Sequence, residues 1–395
     1  MSLNISLILQ RYFAILAIGL MALAACGCGH HRTLNHINSP SYHLSNGHKF
    51  LLKGMLPEAE SEFVTALELD SSSVASLVGL ALVKIKQQDF LKAQELLKRA
   101  SNLALDQQSR YMVQVAYLRI HTEEKGKDWL EEALKWYEQA VSLNSKAPDA
   151  YYYMGVAYKE SYNFHDARNL FEKAQKIPGV LQVEAAKESA LMEAILDNPP
   201  QTLAGKKAVL AGRVHRAHMA ALLVQELGLM QWVTIPDSEG IDEIKISDIQ
   251  NHVYRRDIET VARLGIKGLE LDTESTFRPD EPITRLDLAV MSQDVIIKAT
   301  GKKDLAYRYQ KRKTPFSDLP TKSPYFNAAM LNVDLGIMLR PASDTEEFDP
   351  LGSVSGADAL RLMYRLKQKI TDIKKGSLFK IWKDLHHPLL DQVSA

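Results

Sequence analysis

Cysteine is nearly absent from this chain, which has only two among its 395 residues. Two cysteines cannot form a disulfide framework or a cysteine-rich zinc site. Charge of one sign is not in excess either, because 48 lysine and arginine residues balance 48 aspartate and glutamate residues. A dedicated nucleic-acid-binding protein depends on clustered excess positive charge. We therefore predict no nucleic-acid partner and no metal site.

Catalytic and cofactor-binding motifs are also missing. The sequence contains no GxxxxGK[S/T] phosphate loop, no HExxH zinc helix and no GxSxG nucleophile elbow. Carboxylates are plentiful, but no pair has a spacing that marks an acid and a base. We predict that the chain is not an enzyme and binds no cofactor. An enzyme with an unmarked site remains the alternative.

The apolar run near the start is short, with 12 residues from Tyr12 to Leu23. A helix that spans a bilayer needs about 20 apolar residues, whereas a signal-peptide core needs fewer. The run ends in Leu-Ala-Ala-Cys at 23–26, which resembles the lipobox of bacterial lipoproteins. The resemblance implies that residues 1–25 are removed and that Cys26 is acylated. An ordinary signal peptide beside an unrelated cysteine is the alternative.

Residues 26–41 are polar and are predicted to link an acylated Cys26 to the first folded domain. Acyl chains would hold the protein at a membrane by burying methylene groups, each worth about 0.8 kcal/mol. Gly27 follows the cysteine where an aspartate would imply retention at the inner membrane. The lipoprotein resemblance therefore implies a location in the cell envelope, on the periplasmic face of the outer membrane.

A repeat with small residues at fixed spacing occupies the next region. The pattern Ala-x3-aromatic-or-Leu-x2-Ala occurs four times, and its first residues are separated by 34, 40 and 34 positions. Small residues allow paired helices to approach closely, and the larger residue fills the groove between them. The four copies begin at Ala59, Ala93, Ala133 and Ala167.

A 34-residue period and this alternation predict an α-solenoid. The pattern resembles the tetratricopeptide repeat over residues 42–180. We expect the six extra residues of the 40-residue interval to lengthen a turn near His121 to Asp128. The resemblance implies a concave groove that binds an envelope protein or peptide, with Tyr152 and Lys159 as candidate contacts. Plain surface is the alternative for both residues.

A second duplication, with an offset of 71, follows Pro199-Pro200. Leu264-Gly265-Ile266 recurs as 335–337, and Phe277-x-Pro279 recurs as 348–350. The sequence Ile-Thr-Arg-Leu-Asp at 283–287 recurs as Val-Ser-Gly-Ala-Asp at 354–358. Each copy therefore predicts a helix ending at Leu-Gly-Ile, a loop with Phe-x-Pro, and a second helix capped by Thr or Ser.

These motifs resemble the S-layer homology family, whose members usually pack three units around a pseudo-threefold axis. A weaker first copy reads Val-His-Arg-Ala-His at 214–218, without Phe-x-Pro and without the cap. The resemblance covers residues 181–370 and implies binding to anionic cell-wall polymer or peptidoglycan. Residues 371–395 are predicted to form a packing helix and tail.

Anion binding in this module is predicted at a helix start. Unpaired N–H groups there favour an anion, and Arg285 can fork onto a carboxylate or phosphate. Thr284 and Asp287 flank this arginine, and Arg216 holds the matching position in the first copy. The alternative is that Thr284 and Asp287 only cap the helix while Arg285 is solvated.

Taken together, the sequence predicts an all-α protein in which a solenoid precedes a mainly α-helical module of three pseudo-repeats. The leading hypothesis is a lipid-anchored envelope adaptor that binds a protein through the solenoid and a cell-wall glycan through the second module. The alternative is an assembly lipoprotein of a secretion or export machine, in which the second module docks protein instead.

Overall fold

The computed structural model describes residues 38–234, 245–339 and 347–390, with side chains described up to residue 376. The chain divides into two compact units, Met1–Ala190 and Leu191–Ala395. In the described ranges there is no β-strand, and two isolated bridges join His215 to Pro282 and Thr284 to Ser353. The predicted all-α fold is therefore confirmed.

The first unit is built from helices that pack in successive pairs, α1 with α2, α3 with α4, α5 with α6 and α7 with α8. A further helix, α9 (Gln182–Asp197), contains the division between the two units. The eight paired helices are α1 (Pro40–Leu52), α2 (Leu56–Leu69), α3 (Val74–Lys86), α4 (Phe90–Leu103), α5 (Gln107–Glu124), α6 (Trp129–Leu143), α7 (Pro148–Glu160) and α8 (Phe164–Gln175).

Glycine and phenylalanine determine how closely the paired helices approach. A Cβ added to Gly47 of α1 would lie 2.6 Å from the Phe63 ring, and Gly79 of α3 faces the same ring. In the last pair, a Cβ on Gly155 would lie 2.8 Å from Phe171. The first alanine of each of the four copies is fully buried. The predicted small-against-large packing is confirmed.

The six extra residues of the third interval are placed differently from the prediction. Helix α5 runs for 18 residues and ends at Glu124, so His121 to Glu124 are helical. Only the segment 125–128 forms the connection, and Lys125 and Asp128 adopt left-handed backbone angles there. The prediction of a longer turn from His121 is wrong, because most of the insertion extends a helix.

In its described residues, the second unit contains six further helices and three short helical turns. The turns are a π-helical turn at Leu222–Glu226 and 3-10 turns at Leu229–Gln231 and Lys303–Ala306. The helices are α10 (Leu203–Val209), α11 (Arg216–Ala221), α12 (Arg255–Arg263), α13 (Arg285–Thr300), α14 (Phe326–Asp334) and α15 (Gly356–Leu390). Helix α15 continues without a break through residue 371, where the sequence predicts a separate segment.

The two clear copies of the second unit have the predicted plan. Gly265 and Gly336 follow α12 and α14 with φ of 58° and 69°, as expected for helix-terminating residues. In each copy an aspartate on the preceding loop accepts the backbone N–H groups of the Phe-x-Pro motif. Asp248 accepts from Phe277 at 2.9 Å, and Asp318 accepts from Phe348 at 2.8 Å.

The three copies close into a ring of backbone hydrogen bonds at equivalent positions. Val214 of the first copy donates to the carbonyl of Val354 at 2.9 Å, and Ile283 donates to the carbonyl of Val214 at 3.0 Å. At the equivalent helix starts, Arg216 donates to Glu281, Arg285 to Gly352 and Gly356 to Ala211, at 2.9, 3.1 and 2.9 Å. The weak first copy is therefore an integral member of the module.

Candidate functional site

The start of α13, predicted to bind an anion, has its backbone donors already in use. The N–H groups of Arg285 and Leu286 donate to the carbonyls of Gly352 and Pro350 at 3.1 and 3.0 Å. The N–H of Asp287 donates to Thr284 Oγ1 at 3.2 Å. No free first-turn donor is left for an anion, because the loop of the third copy takes two and the cap takes one.

Thr284 and Asp287 form a reciprocal capping box. The Thr284 hydroxyl and N–H both donate to Asp287 Oδ2, at 2.6 and 2.9 Å. This arrangement confirms the predicted cap and occupies the polar groups of both residues. The two side chains stabilise the helix start and are not directed at a ligand.

The first copy also has a cap, contrary to the prediction. The N–H of His215 donates to His218 Nδ1 at 3.3 Å, so an imidazole takes the place that a carboxylate holds in the other copies. Burial, together with His215 and His252, lowers the pKa of His218. The sequence pattern missed this cap because histidine is not among the usual capping residues.

Arg216 binds the loop of the second copy. Its Nε donates to the Phe277 carbonyl at 2.7 Å, Nη1 to Gly268 at 3.1 Å and Nη2 to Glu270 at 2.7 Å. The guanidinium also lies over the Phe277 ring, 4.8 Å from its centroid. Arg216 is 7% exposed, so the structure gives it a role in joining two copies and leaves no surface for the predicted glycan contact.

Arg285 makes the equivalent joint to the third copy but is less completely engaged. Nε donates to the Phe348 carbonyl and Nη2 to the Leu339 carbonyl, both at 2.9 Å. The residue is half-buried, and burial lowers its pKa. Arg285 also lines a cleft between the second and third copies.

This inter-repeat cleft has a volume of about 340 Å³, and its charged lining consists of three arginines, Arg285, Arg361 and Arg365, and two aspartates, Asp349 and Asp358. Arg361 donates to Asp358 at 3.1 Å. Arg365 forms no hydrogen bond or ion pair with the described part of the chain, and burial beside Arg361 lowers its pKa. A cluster of this kind can bind a carboxylate or phosphate through forked hydrogen bonds.

Sequence reasoning missed Arg361 and Arg365, although the repeat offset contains the information needed to find them. At the offset of 71, these arginines take the places of Val290 and Asp294 in the second copy. Asp294 there forms an ion pair with Lys298. The change from apolar and acidic residues to two arginines gives this cleft an excess of positive charge, with three arginines against two aspartates.

The solenoid of the first unit also contains a concave feature, a groove of about 780 Å³. It is lined mainly by the first helices of the pairs, α1, α3, α5 and α7, as the solenoid prediction expects. Arg119, Asp149 and Tyr153 are among its polar residues. The apolar lining includes Leu51, Leu52, Val78, Leu82, Met112 and Val115.

The two residues predicted to contact a partner, Tyr152 and Lys159, are not in the lining of this groove. Lys159 Nζ pairs with Glu188 of α9 at 2.8 Å, and both side chains are largely buried. Tyr152 packs edge-on against Phe171, and burial and the charge of Glu188 raise its pKa to about 12. The helix that follows the last repeat covers these residues, which the repeat pattern alone does not reveal.

Cys26 lies outside the described residues, so its predicted acylation stays a prediction. Within the described ranges, no helix has both the length and the apolar character needed to cross a membrane. In the same ranges, no three histidine, cysteine or acidic side chains come together as a metal site would require.

Comparison with known proteins identifies one motif in each unit. A model of the TPR repeat matches residues 127–161, and a model of the S-layer homology domain matches residues 245–289. The solved structure of YrrB, described as a TPR protein with an unusual peptide-binding site, is 17% identical. That match covers 41% of this chain and 80% of YrrB, with a TM-score of 0.25. No curated protein is similar enough to count as a match.

Proposed function

We propose that this chain, in which a tetratricopeptide repeat is followed by an S-layer homology domain as the sequence predicts, is a lipid-anchored adaptor of the bacterial cell envelope. The two modules are non-catalytic binding modules, one for protein and the other for the cell wall. In the adaptor, the solenoid holds a protein or peptide, the second module holds an anionic wall glycan, and acyl chains on Cys26 hold a membrane.

The observation that supports wall binding is the cationic cleft of Arg285, Arg361 and Arg365. Helix starts do not supply the anion site, because their N–H groups are used in the joints between copies. Side chains must therefore provide the positive charge. Arg365 is the best candidate, since it faces the cleft with no partner in the described part of the chain.

Binding to purified peptidoglycan sacculi tests this assignment, and Arg365→Gln is the informative variant. Because hydrogen bonds to a charged group contribute about 1.5–3 kcal/mol, we expect R365Q to sediment with sacculi at least about tenfold more weakly. Arg361→Gln should have an effect in the same direction. Arg285→Ala is less informative, because it also removes the joint to the third copy.

The matched control is Arg263→Gln, which removes an exposed arginine of the same module outside the cleft. Circular dichroism of each variant should match the parent chain, so that a loss of binding reports the cleft. Equal sedimentation of R365Q and R263Q would contradict the cleft assignment. Absence of sedimentation by the parent chain would contradict wall binding altogether and favour an assembly lipoprotein whose second module docks protein.

Lipid anchoring is tested separately with a clickable palmitate supplied during growth. We expect label on the parent chain, recovered with membranes, and no label on the Cys26→Ser variant. Cys28→Ser, two positions later, is the matched control and should keep the label. An unlabelled parent chain in the soluble fraction would remove the membrane contact and leave an adaptor with two contacts.

A further inference from the structure

The solenoid groove has an apolar floor that remains open at its edge. Leu52 and Val180 at the rim are 75% and 78% exposed, whereas Leu82, Val78 and Val115 below them are buried. Exposed apolar side chains beside a buried apolar floor favour an apolar occupant, because burying them gains about 25 cal/mol per Å². Area alone does not identify that occupant.

Arg119 gives the groove a positive charge, which an occupant must also complement. It lies half-buried in the groove, with its guanidinium 4.2 Å from the centroid of the Tyr153 ring. No carboxylate or carbonyl in the described part of the chain accepts a hydrogen bond from it. His48 lines the same groove. Burial is the main cause that lowers the pKa of His48, and the positive charge of Arg119 lowers it further.

An acidic group is close by but does not neutralise this arginine. Asp149, in the first turn of α7, lines the groove, and burial raises the pKa of its carboxyl. Among the described residues Asp149 forms no ion pair, although Arg119 opposes the rise in its pKa. The groove therefore holds a cation that makes no hydrogen bond or ion pair with the described residues, beside a partly desolvated carboxyl, both within an apolar wall.

We infer that the groove binds an apolar peptide segment that carries one carboxylate, and that this carboxylate pairs with Arg119. A carboxylate is the complement of an arginine already oriented by stacking, since the two can form parallel hydrogen bonds. Peptide N–H groups suit the Asp149 carboxyl, to which a purely hydrocarbon ligand would add no donor. The inference rests on the protein-binding role proposed for the solenoid and names the chemistry of its partner.

The test is the selection of peptides by the full chain from a positional-scanning library of eight-residue peptides with acetylated and amidated ends. The parent chain should select apolar residues at several positions and Asp or Glu at one position. Replacing that acid by its amide should weaken binding at least about tenfold, as expected for a charged hydrogen bond.

Arg119→Gln should keep the apolar selection and lose the preference for the acid, so that acidic and amide peptides bind equally. Arg119→Lys, which keeps the charge without the planar fork, should retain part of the preference. The matched control is Arg110→Gln, an exposed arginine on the same helix outside the groove, which should behave as the parent chain. Thermal unfolding of each variant separates lost selection from lost folding.

The outcomes distinguish the inference from the function on which it rests. Apolar selection without an acid, or an acid preference that survives in Arg119→Gln, would overturn the pairing while leaving peptide binding by the solenoid intact. Absence of any peptide selection by the parent chain would overturn both. Displacement of the selected peptide by a long-chain fatty acid at equal affinity would also overturn the inference, because a lipid would then be the occupant.

Discussion

Arg216 and Arg285 hold the same position in successive copies and differ in how completely a neighbouring loop uses them. Arg216 donates to three carbonyls from a buried position, whereas Arg285 donates to two and also lines a cleft. In the first copy this arginine only joins two copies, whereas in the second copy it joins two copies and also lines the cleft.

Arg216→Gln should destabilise the second unit more than Arg285→Gln. Removing the first guanidinium leaves three carbonyls without donors, and we expect a loss of about 3 kcal/mol, compared with about 1–2 kcal/mol for the second. Hydrogen exchange followed by mass spectrometry, in peptides that cover 266–283 and 337–354, measures both losses.

Arg213→Gln is the control for these two variants, because Arg213 is exposed and lies three positions before Arg216. It should leave exchange in both peptides unchanged. A larger loss for Arg285→Gln than for Arg216→Gln would contradict the assignment of Arg216 as the more fully bonded joint residue.

At the scale of elements, the starts of α11 and α13 bring two copies together instead of presenting free donors. In both helices, the first two N–H groups donate to the loop of the next copy. The cap beneath them differs, because α13 uses the Thr284–Asp287 pair and α11 uses His215 and His218. The start of α11 therefore depends on a titratable imidazole that must be neutral at Nδ1.

Acidification should destabilise the start of α11. Burial lowers the pKa of His218 below the ordinary histidine value of 6.5, so below that pH the unfolded chain binds more protons than the folded one. The contribution of His218 to the free energy of unfolding is fully present above pH 6.5. It falls as the pH decreases, by at most about 1.4 kcal/mol per pH unit for one proton. His215, His252 and Asp280 are the titratable neighbours of this ring.

Exchange rates in peptides covering 214–227, compared at pH 7.5 and 5.5 after correction for intrinsic rates, measure this effect. The parent chain should show faster corrected exchange at pH 5.5. His218→Asn, which cannot be protonated there, should reduce the difference between the two conditions. The idea fails if the parent and the variant show the same pH dependence.

At the scale of the whole molecule, the third joint of the second unit relies on the absence of a side chain. A Cβ on Gly356 would meet the backbone carbonyl of Ala208, and backbone cannot move aside as a flexible side chain can. The first two joints have an arginine at this position. The ring closes only because the third has glycine.

Gly356→Ala should open this joint and destabilise the second unit by about 1–3 kcal/mol, the cost of overpacking. In this variant, we expect faster hydrogen exchange in peptides that cover 208–214 and 354–366. Gly212→Ala is the control, since no atom lies within 4 Å of the added Cβ. Equal exchange in the two variants would show that the backbones tolerate the extra methyl group.

Local features of both units could be predicted from the sequence, because their causes are local. The alanines of the solenoid repeat mark the helix crossings, and Thr284 and Asp287 are spaced as a cap requires. The role of Arg216 could not be predicted, because its acceptors lie 52 to 61 positions away. The ion pair of Lys159 could not be predicted for a similar reason, since its partner Glu188 lies on a helix outside the repeat.

The backbone hydrogen bond from Val214 to Val354 joins the first copy of the second unit to the third. Contacts of such long sequence separation form late, because loop closure must precede them. During synthesis, the first copy is therefore made before the third copy, and its apolar surface stays exposed until the third copy is complete. Chaperones and proteases act on such intermediates, so ring closure sets how long a newly made chain remains vulnerable to them.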